Sequence, residues 1–454
     1  MQTSSTSRIP LAGRWIAMTA IALGAACVSP ESSIGESYTT IKLTNTLSIV
    51  RENEFVEIPL REVRSRFKGF DERDFSVHLL PANWYPDHGD PLLATDPAPQ
   101  IPAQIVDSDL DGDPDALLVS CDFAAGEKRY VAIASPRFSR LAKQIGPRTA
   151  GGLWTRETVT REGATLKSQG KYIEVGSAVV DPAHSKNDGL YQCGGPIFET
   201  DSCAYRLLLD SRMCFDVIGK RERGIVLDSK NSAFVGDALD LSATTWGGTL
   251  LGDCEGFGAG AFGYAEDGTV VPMAGFDSAQ YRMVTDGPAA TECEIHLLGA
   301  KLGRQSVDLR WRIKHFAGTR LLRHDVNCSR SGHGLAYAMN ASGIHNELPS
   351  GQLGWMRATS FGPTNVASEK GGSLGLAILA NGRTANGFVK IPADVIGVQF
   401  SSTSRNFTFW TLAAWDQEPS GLRSAQDFQK EVDQLALRIE NPIKISNLEK
   451  DVRN

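Results

Sequence analysis

The chain has 454 residues, 41% hydrophobic and 22% charged, with 46 Lys and Arg against 53 Asp and Glu for a net charge of -7. That length is more than one small core needs and calls for two or three domains, and the composition excludes a disordered or fibrous chain. No basic run is long enough for a nucleic-acid footprint, so no DNA or RNA partner is expected, although local basic clusters suit an anionic small molecule.

Arg8 and Arg14 precede an apolar segment from Trp15 to Ala26, followed by Cys27-Val28-Ser29-Pro30. Residues 1–27 have the layout of a secretory signal and are too short for a permanent span. Gly24-Ala25-Ala26-Cys27 also resembles a bacterial lipoprotein box, with its leucine one position early at Leu23. Two outcomes stay open: lipidation of Cys27, or cleavage after Ala26. Either makes the protein exported, periplasmic or anchored to the outer membrane of a bacterium, the first through a lipid anchor. Residues 28–38 are polar and read as a tether.

From residue 39 the segments IKLTN, FVEIPL, FSVHLL, PAQIVD, ALLVSCDF and RYVAIA read as short strands separated by turns, which predicts an N-terminal β-sandwich over 39–137. Pro86 to Pro99 reads as an exposed loop. The run from Asp107 to Asp115 sets Asp107, Asp109, Asp111 and Asp115 at loop positions one, three, five and nine, with Gly112 at six. Position twelve is Leu118 and a strand follows, which excludes an EF-hand. The loop is either an acidic, solvated hairpin turn, the favoured reading, or a structural calcium site. No other cofactor is expected.

Residues 138–150 read as a linker, with a short helix over Phe138 to Ile145 stopped by Gly146-Pro147. The larger domain, 151–446, is again β-rich. Within it, GPIFETDSCAYRLLLDSRMCFDVIGK (195–220) holds two apolar runs around Asp210-Ser211-Arg212, a hairpin signal. Alternation sends Tyr205 to the core face and Arg206 and Asp216 to the more polar one. In VDLRWRIKHF, Val307, Leu309, Trp311, Ile313 and His315 share one face, and Asp308, Arg310, Arg312 and Lys314 the other. His315 therefore continues an apolar stripe, yet ends its strand beside Gly318 and Arg320. Ser424-x-x-Asp427 opens a C-terminal helix with Phe428, Val432, Leu435 and Ile439 on one face, ended by Asn441-Pro442. Residues 447–454 are a tail. Of the cysteines beyond Cys27, Cys193 and Cys203 bracket a Gly-Pro loop and are the best candidate bridge; burial as small hydrophobes is the alternative.

No nucleophile elbow, phosphate loop or zincin motif occurs. The sequence does resemble the uncharacterised-domain family numbered four-eight-six-one, found in polysaccharide-degradation loci. The blocks that carry the resemblance are PQIPAQIVDSDLDGDPDALL, the loop opened by His184, ETDSCAYRLLLDSRMCFDVIGK, Trp246-Gly247 with Gly258, Gly260 and Gly263, HFAGTR (315–320), and AAWD with the final helix and NPIKI. The resemblance implies an all-β fold: an N-terminal β-sandwich and a larger galactose-mutarotase-like β-supersandwich with a C-terminal helix. One branch of the family looks like dehydratases of uronic acids in ulvan oligosaccharides. This chain departs from the family at Ser185-Lys186-Asn187, where a second histidine is usual, and at Asp240-Leu241, where a tyrosine-histidine pair is common.

That chemistry needs a cation to neutralise a carboxylate as its enolate forms, and acid and base groups. The resemblance offers His184, Tyr205, Arg206 and His315 as catalytic candidates. Arg212, Lys220, Trp246, Arg320 and Glu199 are candidates for substrate binding, with Glu199 and Lys220 equally readable as a supporting salt bridge. The expected partner is an anionic oligosaccharide. Two function classes follow: an exported eliminase or dehydratase on uronic-acid-containing oligosaccharides, and a non-catalytic glycan-binding lipoprotein on the same fold, with a glycoside hydrolase as a weaker third. For the N-terminus, lipidation predicts that Cys27→Ser moves the protein from the membrane to the soluble fraction; unchanged fractionation would leave simple cleavage after Ala26.

Overall fold

The computed structural model describes residues 38–84, 98–135, 146–163, 165–185, 188–227, 246–251, 256–266, 269–331, 334–349, 354–364, 371–389 and 394–446. The signal and tether, most of the proline-rich loop, the linker helix, Lys186-Asn187, Asp240-Leu241 and Cys254 lie outside these residues.

Residues 36–454 form one compact unit. At its N-terminal end a four-stranded sheet (Lys444–Ser446, Tyr38–Thr44, Lys128–Ala134, Ser76–Leu79) faces a three-stranded one (Arg51–Pro59, Ala116–Phe123, Ala103–Val106). Ile41, Leu43, Val56, Ile58, Leu117 and Val119 fill the space between them. A sandwich strand with one wet face would alternate, but ALLVSCDF is apolar nearly throughout. The reason is that its sheet is covered twice. Leu117, Val119 and Cys121 point into the sandwich, while Ala116 and Leu118 join a second cluster with Phe316, Trp410 and Phe428 from the larger β region. The strand Lys444–Ser446 pairs with Tyr38–Thr44, so the end of the chain completes the first sheet.

The larger region is a nine-stranded antiparallel sheet in the order Ser177–Val180, Ser278–Asp286, Ala290–Leu302, Gln305–Phe316, Leu321–Cys328, Asn406–Trp415, Ser373–Asn381, Trp355–Pro363, Ile344–Leu348. Against it lie two five-stranded sheets. One runs Gly247–Thr249, Phe215–Lys220, Ala204–Leu207, Ile197–Thr200, Thr149–Gly152; the other Thr269–Pro272, Ala261–Glu266, Leu335–Asn340, Val395–Phe400, Ala385–Phe388. Ile295, Leu297, Leu309, Trp311 and Ile313 build the shared core with Tyr205, Phe215 and Phe262. The fold is thus all-β with a C-terminal helix.

That helix, Ala425–Glu440, begins where the capping signal puts it, the Ser424 hydroxyl accepting the Asp427 amide at 3.1 Å. Phe428, Val432 and Leu435 seat it on the nine-stranded sheet. A second helix, Leu60–Arg66, follows Pro59 directly where the sequence reads only a strand end. The hairpin of 195–220 forms, with Leu207 opposite Phe215 and a turn at Asp210–Met213. The expected Cys193–Cys203 bridge is absent: Cys203 belongs to the main core and Cys193 to a cluster on the other side of its sheet, and the six described cysteines are all buried thiols.

His324, unremarked in the sequence, lies in the centre of this core. It stacks on Phe409 at 4.6 Å and 7°, accepts Trp311 Nε1–H at Nδ1 (3.1 Å) and so donates Nε2–H to Thr411 Oγ1 (2.8 Å). Burial pulls both His324 and His315 from the ordinary 6.5 to about 3. Between those values the unfolded chain binds more protons than the folded one, so stability present above pH 6.5 is lost as pH falls toward 3. Calorimetric melting across that window should show a falling midpoint with uptake of up to about two protons from these rings. His324→Phe should lower the midpoint at pH 7 and flatten its pH dependence.

Candidate functional site

Register divides the hairpin and its neighbours into two faces. Gly152, Ile197, Arg206 and Asp216 stand directly opposite one another across four strands, and Glu199, Ala204 and Ile218 form the next row. These rows point away from the nine-stranded sheet, where Cys193, Ile197, Ala204, Ile218 and Leu227 make a small cluster of their own, with Trp154, Val226 and Trp246 packed on it and only partly buried. Phe198, Tyr205 and Val217 point the other way, into the main core.

The structure accordingly separates the predicted residues. The Tyr205 hydroxyl donates to Arg320 O (2.6 Å) and accepts the Ala413 amide (2.8 Å), and burial pushes it far above the ordinary phenol range. It pins two strands together. His315 lies edge-on to Tyr205 at 5.3 Å, with its nitrogens 3.3 Å from Phe198 O and 3.2 Å from Thr319 O. With a 0% exposed, neutral ring, it is a core histidine. Arg320 is engaged by Glu418 (2.6 Å) and Ser420, holding the turn after the strand Asn406–Trp415. Arg212 grips Asp210 within the hairpin turn. Lys220 donates to Glu199 (2.7 Å), Thr200 O (2.6 Å) and Gly224 O, which uses all three of its protons. Glu199 also accepts the Val226 and Leu227 amides; burial pushes its carboxyl up, against the opposing effect of Lys220. The pair is a supporting salt bridge. His184, Arg206, His315 and Arg320 therefore do not share one pocket, because successive residues of a strand face opposite sides and His315 follows Tyr205 inward. Clefts of about 640, 420 and 430 Å³ open elsewhere, lined by none of these four.

Of the four, Arg206 stands on the outward face, and His184 lies on a loop that leads to the cluster there. The loop after Ser177–Val180 turns at Asp181–His184, where Asp181 accepts the Ala183 amide, and places His184 with its edge toward Tyr191 at 4.8 Å. Nδ1 lies 2.9 Å from both oxygens of Asp188. Burial raises the Asp188 carboxyl, but hydrogen bonds from His184 and from the Ser185 and Leu190 amides outweigh it and hold the group below the usual range. An ionised Asp188 fixes the proton on Nδ1 and leaves Nε2 as an acceptor. Among the described residues that nitrogen is buried with no hydrogen-bond partner, in a residue 5% exposed. From Asp188 the chain runs along the hairpin Trp154–Glu174, with Ser168 Oγ on Asp188 O and Tyr172 on Gly189 O, and delivers Cys193 to the outer cluster beside Ile197. Arg206 stands in the Ile197 row, its side chain 12% exposed, held at 2.9 Å by a fully buried Asp216. Asp188 escaped the sequence reading; its spacing of four from His184 within a single loop was the available signal.

The acidic loop is a different matter. Ligand oxygens of Asp107, Asp109 and Asp115 come within 4.8 Å of one another. Asp107, however, caps the Leu110 and Gly112 amides and takes Arg312 Nη2 at 2.8 Å, while Asp115 accepts Ser108 N and Oγ. A guanidinium thus already lies on the first ligand. Chelator should therefore leave the melting temperature unchanged, and Arg312→Met should lower it; a chelator-dependent fall abolished by Asp109→Ala would restore the calcium reading.

Two solved structures resemble the chain at 10% identity: a protein in the glycosyl hydrolase family 38 from Enterococcus faecalis (TM-score 0.41, covering 91% of this chain and 48% of that one) and an alpha-mannosidase from Enterococcus faecalis V583 (TM-score 0.40, covering 90% and 46%). The chain thus spans about half the length of either. No curated protein matches it significantly. The family described as "Domain of unknown function (DUF4861)" matches residues 43–445, the sandwich, both five-stranded sheets and the C-terminal helix included, and the chain belongs to that family.

Proposed function

We propose that this is an exported, carbohydrate-active protein that eliminates water from a uronic acid unit of an oligosaccharide, with His184 as the proton-transferring group and Arg206 as the site of the substrate carboxylate. The observation that carries the reading is the His184–Asp188 dyad: an imidazole whose Nδ1 proton is held by an ionised carboxylate and whose Nε2 is buried with no hydrogen-bond partner among the described residues. Export rests on the N-terminal charge and apolar pattern, and a lipid on Cys27 would tether the protein to the membrane.

In this scheme Nε2 takes the proton from the carbon next to the carboxylate. The C–H electrons form the carbon–carbon double bond, and the neighbouring C–O bond breaks. The departing hydroxyl leaves as water with the proton handed on by the imidazolium, so one residue serves as base and then acid on one face of the ring. That economy suits a site from which Tyr205 and His315 have been withdrawn into the core. Arg206, oriented by Asp216, balances the charge that grows on the carboxylate in the enolate-like transition state.

A second reading has its own support. The outward-facing tryptophans and the inward placement of Tyr205 and His315 fit a protein that binds glycan without turnover. Uronate-bearing oligosaccharides followed by the ultraviolet absorbance of the unsaturated product separate the two. The enzyme reading expects absorbance growth, cut about 10²–10⁴-fold in His184→Ala and in Arg206→Ala with melting temperature largely kept. Binding without absorbance change would replace it by the glycan-binding reading.

A further inference from the structure

We propose that the two-stranded ribbon Trp154–Glu162 and Thr165–Glu174 is a lid on the His184 loop, hinged at a bulge halfway along it, which lifts before any ligand reaches Nε2. The inference rests on the proton-transfer reading of His184 and adds the motion which that reading requires. His184 is 5% exposed and its Nε2 is buried, whereas a base must come within hydrogen-bond reach of the proton it abstracts. A sugar carbon cannot meet the nitrogen in this conformation. Among the described residues, every hydrogen bond and ion pair that residues 181–190 make outside their own loop goes to the ribbon. Arg161 pairs with Asp181, three residues before His184. After it, Ser168 Oγ donates to Asp188 O (2.8 Å), the Tyr172 hydroxyl to Gly189 O (2.9 Å) and the Arg156 amide to Leu190 O (3.0 Å). The dyad is thus clamped from both ends by one element.

The ribbon is built to move. Both strands are exposed or half-buried along their length except at Leu166, 6% exposed, which joins the core cluster of Val180, Leu190 and Tyr191. A two-stranded ribbon with so little burial has low stability of its own, and local openings draw on such elements. Its register slips between Arg156, opposite Tyr172, and Thr158, opposite Gln169, so Glu157 alone faces Gly170 and Lys171. That bulge bends the ribbon, and Gly170, at φ 91°, supplies a backbone conformation that few other residues adopt. On the near side of the bulge, the Arg156 amide on Leu190 and a bridge from Thr155 to Tyr191 fix the base. On the far side lie Arg161, Leu166 and Ser168, whose contacts release together when the outer half swings away. Arg161, Leu166 and Ser168 are therefore the latch, and the base stays seated.

The test is carbethoxylation of the full chain by diethyl pyrocarbonate, which attacks an unprotonated imidazole nitrogen, followed histidine by histidine through peptide mass mapping. It needs no substrate. His324, 0% exposed at the centre of the core, reports global unfolding in the same sample. His184 should be modified faster than His324, because lifting the lid leaves the core closed. Its rate should rise about threefold in Arg161→Gln and about fivefold in Ser168→Ala, and by at least about thirtyfold in Leu166→Ala, relative to His324 in each protein. The side chains of Arg161 and Asp181 are 50% and 30% exposed, so salt screens this part of the latch. Raising salt from about 0.05 M to about 0.5 M should speed His184 modification about twofold in the unaltered protein and leave Arg161→Gln unchanged. His184 modified no faster than His324, or at one rate in the unaltered protein and all three variants, overturns the lid. Latch-dependent modification with no unsaturated product from any uronate oligosaccharide would keep the lid and defeat the eliminase. Product formation with a His184 rate indifferent to the latch would do the reverse.

Discussion

The strand Gln305–Phe316 is covered on both sides: Trp311 and Ile313 at 0% exposure beneath one layer, Arg312 and Lys314 at 3% beneath another. Burying a cation costs far more than burying a methylene unless a carboxylate is brought with it. Arg312 meets Asp107 at 2.8 Å, Glu294 at 3.1 Å and Glu292 at 3.5 Å; Lys314 meets Glu292 at 3.1 Å and Glu57 at 3.8 Å. Two of these acids, Asp107 and Glu57, come from the N-terminal sandwich. Removing a partner would leave an uncompensated charge, so the seat of the sandwich on the large sheet is dictated by where those two carboxylates lie. Arg323, at 3.5 Å from Glu57 and 2.8 Å from Asp325, extends the same constraint to the next strand.

This double coverage also explains what could be read in the sequence. The alternation of VDLRWRIKHF placed each residue on the correct face, because period two is a local property of a strand. It could not tell that the charged face was buried, since that depends on a sheet more than 180 residues earlier. The run ALLVSCDF announced burial on both faces by its lack of alternation, yet the second cover came from the far end of the chain. The C-terminal helix was legible to the residue through Ser424 and its apolar stripe. The helix Leu60–Arg66 was not, since seven residues give too little periodicity to outweigh the strand before them.

For the site, pattern carried less. Tyr205 and Arg206 are adjacent, and their divergence followed directly from alternation; the partners that decide their roles did not. Arg320 O and Ala413 N occupy the Tyr205 hydroxyl, Phe198 O and Thr319 O flank His315, and Glu418 engages Arg320 from 98 residues away. A conspicuous motif such as HFAGTR thus proved to be a structural corner. Proton-transfer chemistry and buried hydrogen-bond anchoring call on the same residue types, and only the partner list tells them apart.

That distinction can be put as satisfaction of donors and acceptors. Lys220 has three acceptors for three protons, and the Tyr205 hydroxyl both donates and accepts, so neither can serve a ligand without breaking a buried bond. His184 differs. One nitrogen is anchored by a carboxylate that burial pushes up but that three hydrogen bonds hold below its usual range; the other is buried with no partner among the described residues. Folding gains nothing from stripping water off an acceptor and giving it no donor. The loop bears that cost while running on to Cys193 in the outer cluster with Trp154 and Trp246, and of the catalytic candidates His184 alone carries such an atom among the described residues.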